Sequence, residues 1–335
     1  MNILVTGGAG YVGSVLIPKL LARGHQVRIL DVGYFGLEHL RSLRQKVDVV
    51  CEDIRRVMAD KHFLNDLIDH CDCIIHLAAM SNDPSADLNP ELTEEVNFRA
   101  TATLAEAAKS RGLGFVFSSS CAVYGEAEDE MDEEGNVDPL TAYAVSKVKA
   151  EEALKGLANA SFRPVILRNG TLFGYSPRMR FDLVVNIFSM YSALYNEIKV
   201  FGDGEQWRPF LHVDDCARAF VHFAEQKEHR YLCYNIAHEN LRVVDLAEIF
   251  RRLNPRLRVS QIDVPGGDRR NYRVLTTRMR EAGFTTRLGV EIGAEEVIDA
   301  IVSGLISDPE SIYYRNAKWL RELTQRASGD PHARQ

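Results

Sequence analysis

Ten residues near the amino terminus, "VTGGAGYVGS" (5–14), constrain this chain more than any other stretch. They join a short apolar run, "NILVTG" (2–7), to the helical pattern "SVLIPKLLARG" (14–24). A turn this tight between strand and helix calls for positive φ, which glycine adopts without steric cost. Gly8-x-Gly10-x-x-Gly13, with Gly7 ahead of it, also lets backbone N–H groups at a helix start approach a pyrophosphate closely. Tyr11 and Val12 lie within this turn. Asp31 ends the next apolar run, "QVRILD" (26–31), 18 residues past Gly13, where a carboxylate accepts the hydroxyls of an adenosine ribose. No Arg or Lys follows in "DVGYFG" to hold a 2′-phosphate, which favours NAD over NADP.

The same β-then-α order continues. "VDVVCED" (47–53), "CIIHLAA" (73–79), "GFVFSSS" (114–120) and "PVILR" (164–168) are near-continuous apolar runs, as in strands buried on both faces of a parallel sheet. Helical patterns such as "FLNDLID" (63–69) and "TATLAEAAKSRG" (101–112) separate them. The order predicts an α/β fold, a Rossmann-type doubly wound parallel sheet over residues 1–170. Beyond it, "DDCARAFVHFAEQ" (214–226) and "VDLAEIFRRLN" (244–254) alternate with "YLCYNIA" (231–237) and "RVSQIDV" (258–264). This predicts a smaller α/β substrate-binding domain over 171–325, with the chain crossing between the two. The tail 326–335 has no periodicity and is expected to be disordered.

Charge and cysteine usage narrow the function classes. A net charge of −7 spread over both halves argues against nucleic acid or an anionic membrane as partner. No apolar run approaches the roughly 18 residues of a membrane span, and "MNILVTGG" lacks the basic start of a signal peptide. The six cysteines lack paired CxxC spacing, so reduced thiols in a cytoplasmic protein and no metal site are expected. The acids from Glu126 to Glu134 read as a solvated loop, and His76 and His212 as structural histidines in apolar surroundings.

Chemistry concentrates in two stretches. "SSSCAVYG" (118–125) ends an apolar run with three hydroxyls, and "TAYAVSKVKAE" (141–151) puts Tyr143 and Lys147 on one helix face. An ammonium beside the phenol, together with a cationic nicotinamide ring, is expected to lower Tyr143 enough to move a proton near neutral pH.

The glycine turn, the acid at the second strand's end, the serine-bearing strand ending in "VYG" and Tyr143-x-x-x-Lys147 together resemble the extended short-chain dehydrogenase/reductases. More narrowly, the pattern is similar to the NAD-dependent nucleotide-sugar epimerase/dehydratase branch (UDP-glucose 4-epimerase-like), over about residues 1–310. The resemblance implies catalysis by Ser120, Tyr143 and Lys147. It implies NAD contacts from Gly7, Gly10, Tyr11, Val12, Gly13, Asp31, Asp53, Ile54, Leu77, Ala78, Ala79, Asn97, Ser118, Tyr143 and Lys147. "WRPFLHVDD" (207–215) is similar to the family's arginine segment for a nucleotide diphosphate, through Arg208, and "PGGDRRNY" (265–272) to a second. That makes Arg208, Arg269, Arg270 and Tyr272 substrate-binding candidates, with Ser81, Ser120 and Thr171 beside the sugar. Arg178 and Arg180 in "YSPRMRFD" (175–182) join the substrate-binding candidates, available to a phosphate or carboxylate. A homodimer packed through helices carrying 92–112 and 143–158 is also implied.

One departure bears on the reaction. The sugar 4,6-dehydratases carry an Asp-Glu pair after the catalytic Ser/Thr, and here Cys121 and Ala122 stand there. Alanine moves no proton and a thiol is a poor acid for an expelled hydroxide, which disfavours simple 4,6-dehydration. The expected function is an NAD-dependent epimerase of a nucleotide-diphosphate sugar. The alternatives are a ketoreductase of a nucleotide-linked deoxysugar and, further off, a non-catalytic dinucleotide sensor.

Overall fold

Seven parallel strands form the main sheet of the computed structural model, which describes residues 1–263 and 269–327. Across the sheet they run Cys233–Ile236, Val165–Asn169, Gly114–Ser120, Cys73–His76, Asn2–Thr6, Gln26–Asp31 and Val47–Cys51. The period of two along a strand sends Ile3 and Val5 to one face, packed with Leu16, Ile17, Phe220 and Phe223. Leu4 goes to the other, with Leu104, Ala108 and Leu154. Apolar residues at nearly every position are thus the consequence of helices on both faces. Strand order reverses beside Asn2–Thr6, whose neighbours are Gln26–Asp31 and Cys73–His76. A crevice opens at that switch point, beyond the carboxyl ends of the strands.

The remaining strands build a smaller lobe over that crevice. Glu239–Arg242, Trp207–His212 and Thr171–Phe173 form a three-stranded sheet, and Arg258–Ile262 pairs with Glu197–Phe201. Phe173, Phe188, Phe210, Leu246 and Phe250 fill its core. None of the helices among the described residues is long and apolar enough to cross a membrane.

Four segments differ from the sequence expectation. Cys233–Ile236 extends the main sheet instead of the small lobe, and the helix Val213–Glu225 packs on the helix Gly13–Ala22. The acidic stretch is not a loop: Glu126–Met131 is a strand that pairs in parallel with Asn271–Val274. Its acids, Glu126, Glu128, Asp129 and Glu130, are all exposed, while Glu133 beyond it is buried and accepts from the Asn235 backbone N–H at 2.7 Å. The helix Asn316–Ala327 continues past residue 325 into what was expected to be tail; Ser328–Gln335 lies outside the described residues.

Candidate active site

The glycine turn is shaped by close backbone approach. Gly7 sits at φ +70°, and a Cβ there would meet the Ala78 nitrogen at 2.7 Å. A Cβ on Gly13 would meet the carbonyl oxygen of Gly8, so the helix start and the turn leave no room for a side chain. Asp31 accepts from Ala9 N and Gly33 N, both at 2.9 Å, which ties the end of the second strand to the turn. Burial raises its carboxyl above the usual range, and these two donors oppose that shift.

One cavity runs from this turn into the crevice. Gly7, Gly10, Tyr11, Val12, Gly13, Asp31, Asp53, Ile54 and Leu77 to Ala79 line one end. Ser118, Ser120, Tyr143, Lys147, Ser81 and Thr171 line the other, with Arg178, Arg180, Arg270 and Tyr272. Three of the expected residues are not among those that line it. Asn97, fully buried in a π-helical turn, takes Met80 N at 2.8 Å and donates to Met80 O and Ser146 Oγ. It holds the backbone beside Ala79 in shape and touches the cavity only through it. Arg208 donates to the carbonyls of Trp207 and Arg270, and its guanidinium carbon is 5.6 Å from the centre of the Tyr272 ring. Arg269 is exposed and bonded to Glu126. Of "PGGDRRNY", Pro265 to Asp268 lie outside the described residues.

The serine run divides by strand alternation. Ser119 turns into the protein and donates to Glu151 Oε1 at 2.6 Å, beside the buried ion pair of Glu151 with Arg168. Ser118 and Ser120 belong to the other face, and the Ser120 hydroxyl caps the turn Cys121–Tyr124 by accepting from Ala122 N. Cys121 is buried, its Sγ on the Arg168 carbonyl, and burial pushes its thiol well up. Lys147 donates to the Ser118 carbonyl at 2.8 Å, with its Nζ 5.7 Å from the Tyr143 ring centre. Burial lowers its ammonium to about 7.

Among the protein's own groups, Tyr143 is raised rather than lowered. Burial and the carboxylate of Asp83 push its phenol up, to about 12, against lowering by a hydrogen bond with Ser120 and by Arg180 and Arg270. A lysine so desolvated does not overcome that burial by itself. Asp83 was not singled out in the sequence, where only its place in "MSNDPS" marks it. Its oxygens are taken by Thr141 Oγ1 at 2.5 Å and Arg270 Nη1 at 2.6 Å. The histidines are structural. His76 is buried between Thr6 and Thr101 hydroxyls, and burial lowers it to about 3; His212 caps the helix Val213–Glu225.

The glycine turn, Asp31 and the Ser120–Tyr143–Lys147 group in one cavity define a dinucleotide-dependent enzyme site on this fold. The chain belongs to the NAD dependent epimerase/dehydratase family, whose model matches residues 3–237. Its cofactor is NAD. It is 31% identical over 236 residues to an uncharacterised UDP-glucose epimerase of Bacillus subtilis, covering 66% of this chain and 72% of that one. It is 30% identical over 238 residues to UDP-glucuronic acid decarboxylase 1 of Arabidopsis thaliana, covering 67% of this chain and 52% of the relative. Among solved structures it resembles a UDP-glucuronic acid 4-epimerase of Bacillus cereus in complex with UDP-glucuronic acid and NAD. That likeness has a TM-score of 0.75 at 26% identity over 90% of this chain and 99% of the other.

Proposed function

We propose that the protein is an NAD-dependent epimerase of a nucleotide-diphosphate sugar, acting through a transient keto-sugar. The observation that carries this reading is that Ser120 and Tyr143 face the cavity while the two positions after Ser120 offer no free acid or base. Cys121 is buried with its thiol pushed up, and Ala122 has no proton to move. The carboxylate at the Tyr143 end of the cavity, Asp83, has both oxygens engaged by Thr141 and Arg270. Bound NAD supplies a hydride acceptor and donor. Tyr143 takes the proton of the sugar hydroxyl as its C–H bond breaks, and Ser120 hydrogen-bonds the same oxygen. Lys147, anchored on the Ser118 carbonyl, places positive charge beside the phenol. The keto-sugar turns about its diphosphate linkage, and Tyr143 returns the proton when the opposite face is reduced.

Gly7, Gly10, Gly13, Asp31 and Asp53 hold the cofactor in this reading, and Arg270 and Tyr272 flank the substrate. The small lobe, with most of 171–325, is the substrate domain. We also propose a homodimer packed through the helices carrying 92–112 and 143–158, near the exposed Leu140 and Val145. Its mass in solution tests this. For the reaction, the protein is incubated with a panel of nucleotide sugars and followed by NMR. Conversion of a member to its epimer without accumulation of reduced nicotinamide is expected. No conversion with NAD bound, stoichiometric reduction, or loss of carbon dioxide would overturn it.

A further inference from the structure

Arg178 is almost completely buried, at 2% exposure, and lines the same cavity. Its guanidinium carbon lies 3.8 Å from the centre of the Phe35 ring. Its Nη2 donates to Asn316 Oδ1 at 2.6 Å and its Nη1 to the Met179 carbonyl at 3.2 Å. Its Nε–H has no hydrogen-bond partner among the described residues. No carboxylate of the described residues stands within ion-pair distance, because the adjacent Asp182 is held by both arms of Arg180. A buried guanidinium with an open donor and no counter-ion is costly, and an anion bound there removes the cost.

Position decides which anion. On one side Arg178 reaches Asp31 electrostatically and stacks on Phe35, four residues beyond that ribose-holding carboxylate. On the other, Asn316 donates to Ser81 Oγ at 3.1 Å, towards the Tyr143 end. Between the adenosine ribose and the redox ring, a dinucleotide carries only its pyrophosphate as an anion. We propose that Arg178 is a pyrophosphate-binding residue for the dinucleotide, clamped in place by the carboxy-terminal segment through Asn316. The inference rests on the NAD assignment and not on the net reaction. It moves Arg178 from the substrate side, where its sequence placed it, to the cofactor.

The clamp is built from residues beyond the family match, which ends at 237. Asn316 N also donates to Asp182, Phe181 N donates to Tyr314 O at 2.8 Å, and Trp319 Nε1 donates to Tyr34 O at 2.6 Å. The segment thus binds both the loop after Asp31 and the loop carrying Arg178. The bound dinucleotide leaves only after these contacts open, so the device retains the cofactor through repeated turnovers.

The test is exchange of bound NAD for isotopically labelled NAD⁺ in the protein as purified, followed by mass spectrometry. UDP affinity is measured on the same samples. Arg178→Gln is expected to speed exchange at least tenfold and lower copurifying NAD, with UDP affinity unchanged within twofold. Arg178→Lys, keeping the charge without the Nε–H, falls between. Asn316→Ala, which leaves the guanidinium but removes its holder, speeds exchange severalfold and covers the case in which Arg178→Gln does not fold. Unchanged exchange in the soluble variants overturns the proposal. So does a tenfold loss of UDP binding with exchange unmoved, which returns Arg178 to the substrate's diphosphate. Failure of the epimerase reading leaves these readouts intact.

Discussion

A phenol held at about 12 is a weak base near neutrality, so Tyr143 needs positive charge brought to it before it can accept a proton. Lys147, at about 7, is only part-charged at that pH, so the cationic ring of a bound oxidised cofactor would supply charge that the lysine does not. Tyr143→Phe removes the group and is expected to lower kcat by about 10²–10⁴-fold. NAD is expected to copurify as before, because the proposed main cofactor contacts lie at the glycine-turn end of the cavity; a rate loss that tracks loss of NAD would contradict the role. Asp83 offers a finer test. Its carboxylate raises Tyr143, so Asp83→Asn lowers the phenol and moves the rising limb of kcat against pH to lower pH. A limb that stays in place, measured from pH 6 to 9, means that another group sets it.

At the scale of elements, the glycine turn and its partner backbone act as one unit. A Cβ on Gly13 collides with the Gly8 carbonyl, a rigid backbone group that cannot swing aside. Gly13→Ala is therefore expected to reduce NAD content by more than tenfold, read by absorbance and chromatography of the released nucleotide. The helix Ala142–Leu157 is tied to the strand Val165–Asn169 by Glu151 and Arg168, each 2% exposed in its side chain, with Ser119 and Lys155 also on the carboxylate. Removing one partner strands the other charge, so Glu151→Ala costs about 3–5 kcal/mol, checked by urea unfolding. These elements were legible in the sequence because each has a local cause: apolar runs for strands, glycines for the turn, a spacing of four for Tyr143 and Lys147. The rest depends on partners far along the chain. Glu126–Met131 has the composition of a loop and becomes a strand only because Asn271–Val274 runs beside it. Cys233–Ile236 reads the same whichever sheet it joins, and only its pairing with Val165–Asn169 places it. Asp83 and Asn316 enter the site through contacts to Arg270 and Arg178, separations no local pattern records.

For the whole molecule, three histidines desolvated by the fold, His76, His229 and His39, govern how stability responds to mild acid. His76 is sealed between Thr6 and Thr101, stacks on Phe117 at 5.8 Å, and is lowered to about 3. The unfolded chain binds a proton there near the ordinary 6.5, while the folded chain does not until about 3. Unfolding therefore takes up a proton throughout that window, and stability falls as pH falls through it. His229, lowered to about 4, and His39, also lowered by burial, act with the same sign. Asp182 and Glu151, held below their usual values by Arg180 and Arg168, lose their contribution only in the more acidic carboxylate range. Asp31 and Glu133, raised by burial, act with the opposite sign there. The interval from about pH 6.5 to 5 thus reads mainly the histidines. Urea unfolding across it is expected to show declining stability, and His76→Asn to reduce the slope by up to about 1.4 kcal/mol per pH unit. The variant starts less stable at pH 7, having disturbed the bonds to both threonines. Its slope is the diagnostic quantity, and a slope equal to the parent's would show that His76 titrates alike in the folded and unfolded chains.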